Sequence, residues 1–110
     1  MRRILPSYFC GAYKIWGFDN KEAPIRVCLP LSKGLPITHF EIKTIDHMAP
    51  MYFALAAIVM LGTLGIKKEM KMPEPVSIDP HLYSQEERDK LGIVALPLTF
   101  KDRKAAVLSE

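Results

Sequence analysis

A chain of 110 residues suits one small domain with a modest core, or a piece of a larger one. With 49% hydrophobic and 25% charged residues it is globular rather than disordered. The net charge of +3 is mild and the basic residues are scattered, which argues against a nucleic-acid-binding surface.

Arg2-Arg3 opens the chain like a signal peptide, but Pro6 and Ser7 interrupt the apolar run before an h-region can form, so a cytoplasmic protein is expected. Cys10 and Cys28 make neither a disulfide framework nor a zinc pattern and read as two free thiols. Tyr13 to Phe18 is the first strand candidate, rich in aromatic and β-branched residues. Asp19-Asn20 reads as a turn. A second strand is expected over Ala23 to Leu29, with Pro24 at its entry, and a third over Thr38 to Ile45; the loop from Pro30 to Pro36 lies between them.

Met48 to Ile66 contains no charged residue. Ala, Leu and Met favour a helix, Pro50 is tolerated in its first turn, and Lys67 and Lys68 suit its C-terminal end. Its length approaches the ~20 residues that span a bilayer. Pro50, the alanines and Gly62, Thr63 and Gly65 lower its hydrophobicity, so the expectation is a buried helix and no membrane span. Asp79-Pro80 marks a turn, Ser84-Gln85-Glu86-Glu87 is a capping box opening a helix to about Leu91, and Thr99 caps a last helix from about Phe100 toward Glu110.

The chemistry-bearing residues lie on the second and third strands. Alternation puts Ile25, Val27 and Leu29 on one face of the second strand and Arg26 on the other. On the third strand His39, Glu41 and Lys43 share a face, opposite Phe40 and Ile42. If the apolar faces coincide, Arg26 joins Glu41 and Lys43, and Lys21 reaches the rim. Guanidinium suits phosphate oxygens and a carboxylate suits a hard divalent cation. The alternative for such a face is plain solvation.

Asn20-Lys21-Glu22-Ala23-Pro24-Ile25-Arg26 resembles the glutamine synthetase signature N-R-x-A-x-I/L-R. Phe40-Glu41-Ile42-Lys43-Thr44-Ile45-Asp46 is similar to its later motif F/I-E-x-R-x-x-D, and Ala49 to Ile66 to the helix that follows. Lys21 and Lys43 stand where the family has arginine, and Pro50-Met51 replaces Asn-Pro. Residues 4–13 and 84–93 look like the glutamine-synthetase-like branch that includes lengsin and the nodulin-like proteins.

The resemblance implies an α+β fold. Residues 1–110 would form the C-terminal segment of a catalytic domain, with about three mainly antiparallel strands, a long buried helix and two short helices. The upstream part and the N-terminal β-grasp domain would lie outside the segment. It implies an ATP-dependent ligase joining glutamate and ammonia through a γ-glutamyl phosphate, with ATP as co-substrate and Mg2+ or Mn2+ as cofactor. Arg26 would contact nucleotide phosphates, Glu41 would bind metal, and Lys21 and Lys43 would help hold phosphate and glutamate. Full-length members form homo-oligomeric rings. The isolated segment is expected to be inactive, and a non-catalytic structural relative that keeps the fold is the alternative.

Overall fold

The computed structural model of the protein describes Ile4 and residues 11–109. In chain order it holds β1 (Trp16–Phe18), β2 (Ile25–Cys28), β3 (His39–Ile42), α1 (Met51–Lys67), a 3-10 turn at Pro80–Leu82, α2 (Gln85–Lys90) and α3 (Phe100–Leu108). The chain divides into two compact units, one made of the residues up to Thr44 and from Pro75 on, the other of Ile45–Glu74. The α+β class and the element types agree with the sequence reading.

The first unit is built on a three-stranded sheet in the order β1-β2-β3. β2 and β3 are antiparallel, but β1 and β2 run parallel, with Trp16 beside Ile25 and Phe18 beside Val27. The sheet is therefore mixed, with one antiparallel and one parallel pairing. Parallel neighbours ordinarily need a long crossover. Here β1 is so short that residues 19–24 suffice to return the chain. Asp19 takes φ +47°, donates its N–H to Val27 O at 3.0 Å, and accepts the Leu29 N–H on its carboxylate at 3.1 Å.

Asn20 fixes the rest of that return. It is 6% exposed, and its amide donates to Val76 O at 2.7 Å and Ile78 O at 3.3 Å, while its Oδ1 accepts the Glu22 N–H at 2.9 Å. Two glycines make the packing possible. A Cβ on Gly17 would lie 2.2 Å from Val76 O. One on Gly11 would lie 1.8 Å from Glu22 O, at a φ of +59° that L residues rarely adopt.

Among the described residues the core of this unit is small: Ala12, Tyr13, Ile15, Ala23 and Ile93, with Val76 and Tyr83 packed against it. Tyr13 lies outside β1 because it pairs with Ala95 in an isolated antiparallel bridge, flanked by Lys14 N–H to Val94 O and Leu96 N–H to Ala12 O. Arg88 on α2 ties the C-terminal half to the core. Its Nη1 donates to Tyr83 O at 2.6 Å and Pro80 O at 3.2 Å, and its guanidinium sits 5.7 Å from the Tyr13 ring centre. The Ser84–Glu87 capping box and the Thr99 cap form as expected.

In the second unit α1 is capped at its C-terminal end by Lys68 N–H to Leu64 O and Met70 N–H to Gly65 O. None of its residues is buried, and Tyr52 is 89% exposed and Ile66 81%. The expectation of a long buried helix is thus corrected for this chain. An apolar run without a polar face needs cover on every side, and so few residues cannot supply it. Among the described residues no helix is long and apolar enough to cross a membrane.

Candidate functional site

The sheet register sorts the side chains into two faces. Trp16, Ile25 and Ile42 are neighbours across the strands, as are Phe18, Val27 and Phe40, so one face is apolar. Trp16 and Phe18 meet edge to face at 5.2 Å. Gly17, Arg26 and Glu41 line up across the opposite face, next to the pair Cys28 and His39.

Arg26 and Glu41 stand directly opposite one another on β2 and β3, and Nη2 of Arg26 donates to Oε1 of Glu41 at 2.8 Å. Their side chains are 23% and 43% exposed, so the pair is accessible without being fully solvated. The guanidinium is held above the usual arginine range, first by Cys28 on the same face and, against the cost of desolvation, by the field and hydrogen bond of Glu41. Arg26 is charged at every accessible pH. Its Nε is buried and makes no hydrogen bond.

Lys21 and Lys43 lie alongside. The backbone N–H of Lys43 donates to Pro24 O at 2.8 Å, which extends the β2–β3 pairing past the strand end, and its ammonium donates to the Lys21 carbonyl. Lys43 thereby ties the turn that carries Lys21 to the end of β3. The structure brings all four sequence-derived site residues into one neighbourhood on the sheet and its adjoining turn.

A carboxylate already paired with a guanidinium is poorly placed to take a metal cation. Magnesium and manganese take about six oxygen ligands in near-octahedral geometry. Glu41 offers a single carboxylate that is already paired with Arg26, and among the described residues no three His, Cys, Asp or Glu side chains come together. His39 is exposed and its Nδ1 lies 3.3 Å from Thr38 Oγ1. The residues present do not fit a complete divalent-cation site. A cavity of about 180 Å³ elsewhere is lined by Ile4, Thr44, Leu96, Pro97, Leu98 and Arg103. It is below the ~300 Å³ at which small-molecule pockets begin, and contains none of the site residues.

Sequence reasoning missed the part played by Asn20, Asp19 and Ala23. Asn20 was legible only as a turn former; its anchors at residues 76 and 78 are far away in sequence. Ala23 is 0% exposed, which explains a small residue at that motif position. Cys28 is a free, buried thiol, as expected, while Cys10 lies outside the described residues.

The chain matches the family described as "Glutamine synthetase, catalytic domain" over residues 1–107. It is 41% identical over 98 residues to the glutamine synthetase of Staphylococcus aureus, covering 89% of this chain and 21% of that protein. The glutamine synthetase of Staphylococcus epidermidis is 38% identical over 98 residues, with the same shares covered. The chain spans about a fifth of the length of these curated relatives. They lend no support to the lengsin-like branch that residues 4–13 and 84–93 suggested. With Arg26 and Glu41 paired on one sheet face and the match running through almost the whole chain, the protein belongs to the glutamine synthetase catalytic-domain family.

Proposed function

We propose that this chain is a segment of a glutamine synthetase-type ligase, one that supplies the phosphate-facing part of the active site. The observation that carries the reading is the Arg26–Glu41 pair across β2 and β3, with the Lys43 ammonium on the backbone of the turn that bears Lys21, at positions that match the family signature. In the reaction of the family, ATP phosphorylates the glutamate side chain and ammonia then displaces the phosphate. Catalysis of phosphoryl transfer is mostly positioning and offsetting of charge, which is work that a guanidinium and two ammonium groups can do.

On this reading Arg26 and Lys21 hold phosphate oxygens and Lys43 faces glutamate while fixing the turn of Lys21. Any metal role of Glu41 requires ligands from outside the described residues, and no step is assigned to it. The segment by itself is inactive. The full catalytic unit acts in the cytoplasm on glutamate and ammonia as a homo-oligomeric ring.

The lysines at 21 and 43 favour one rival, a non-catalytic structural relative. An ammonium keeps the charge of arginine but lacks its bidentate fork. The test is titration of the chain with inorganic phosphate and with ATP, followed by NMR. Shifts centred on residues 20–27 and 41–44, abolished in Arg26→Ala, are expected. Absence of any phosphate response in the folded chain would favour the structural relative. No ATP-dependent glutamine formation is expected from the chain alone.

A further inference from the structure

The family resemblance makes Glu41 a metal ligand, yet the residues around it do not make a cation site. Its carboxylate is paired with Arg26, one oxygen lying 2.8 Å from Nη2, while the Lys43 ammonium nearby on the sheet is held by the Lys21 carbonyl. A carboxylate already paired with a guanidinium, in a place where no three ligand side chains come together among the described residues, is a poor lure for a divalent cation. Its position is also set by the register: Glu41 is the residue directly opposite Arg26 across an antiparallel pair, where side chains meet.

Arg26 needs such a partner. Its side chain is only 23% exposed and its Nε is buried without a hydrogen bond. Cys28 adjoins the guanidinium on the same face, and among the described residues Glu41 is the charged group paired with it, through Nη2. Without Glu41 a long, flexible side chain would lose the charged partner that selects its rotamer.

We infer that Glu41 is a positioning residue for Arg26: it holds the guanidinium in place across the β2–β3 pair, and within this chain it does not recruit a divalent cation. The inference rests on the phosphate reading for its purpose but not for its geometry. It also makes a prediction that runs against simple electrostatics. Removing a carboxylate beside an anion site should tighten anion binding. If Glu41 orients Arg26, removing it weakens binding instead, because the guanidinium must then be ordered when phosphate arrives. Ordering one such side chain corresponds to a loss of roughly two- to tenfold in affinity.

The experiment uses the whole isotope-labelled chain and the near-isosteric Glu41→Gln, with Glu41→Asp as a second variant that keeps the charge. Three readouts are taken. In the wild type, the Arg26 guanidinium N–H signals should show hindered rotation that collapses in Glu41→Gln and is partly kept in Glu41→Asp. Manganese ion, titrated to sub-millimolar concentration, should broaden the amides of residues 39–43 no more than those near other exposed carboxylates such as Glu86. Phosphate affinity should fall in Glu41→Gln and recover in Glu41→Asp. Selective manganese broadening at Glu41 with release of Arg26 would overturn the inference. So would guanidinium signals unchanged by Glu41→Gln, or tighter phosphate binding in that variant. A wild type that binds no phosphate would sink the phosphate reading, while the guanidinium and manganese readouts would still decide the role of Glu41. If Glu41→Gln fails to fold, Glu41→Asp and the wild-type manganese titration decide it.

Discussion

Asn20 commits both polar atoms of its side chain to backbone, its own loop through the Glu22 N–H and residues 76 and 78 through their carbonyls. Asn20→Ala would strand those groups, the 6% exposure of the site leaving little room for water. The expected cost is about 1–3 kcal/mol, read as a lower urea midpoint. Asn20→Asp should be no milder, because a carboxylate would face two carbonyl oxygens. At this scale the ionic residues were the legible ones. Alternation alone put Arg26 and Glu41 on one face, and the sheet then placed them opposite each other. The tether from Lys43 to the Lys21 carbonyl was not legible, since it depends on how the 19–24 turn folds back.

Short elements were legible where a local rule decides them. Ser84 and Glu87 form a reciprocal cap, with the Ser84 N–H on Glu87 Oε2 at 2.8 Å and the Glu87 N–H on Ser84 Oγ at 3.3 Å. Those bonds, the backbone one first, hold the Glu87 carboxyl below its ordinary 4.5. A carboxylate with a lowered folded pKa contributes stability that is present above the unfolded value and lost as pH falls through the folded one. The wild type should therefore lead Glu87→Gln in urea midpoint at neutral pH, and the lead should shrink below 4.5; a lead independent of pH would contradict it. Ser84→Ala should cost about 0.5–2 kcal/mol, seen as faster hydrogen exchange across residues 85–90. Strand direction was not legible. Nothing in the residues of β1 says parallel; the left-handed Asp19 and the distant anchors of Asn20 decide it.

For the whole molecule, the controlling fact is a 49% hydrophobic chain with a small core among the described residues and an apolar helix none of whose residues is buried. The run from Met48 to Ile66 was readable as a helix, but its burial needs partners beyond the chain. Exposed apolar surface of this extent drives association. The purified chain should bind a hydrophobic dye such as ANS and should associate as its concentration rises. Lysine at Phe53 and Val59, which are 78% and 66% exposed, should suppress both effects with the sheet unit intact, as judged by sedimentation and amide shifts. A monomeric wild type that binds no dye would contradict this. An exchange tests whether the segment works as part of a glutamine synthetase. The matching fifth of the Staphylococcus aureus glutamine synthetase is replaced by this chain, and ATP-dependent glutamine formation is measured in the assembled chimera. The expected result is a turnover that Arg26→Ala lowers by at least about tenfold, on the scale of removing one charge-stabilising donor. A correctly assembled chimera that makes no glutamine, or one indifferent to Arg26→Ala, would contradict it.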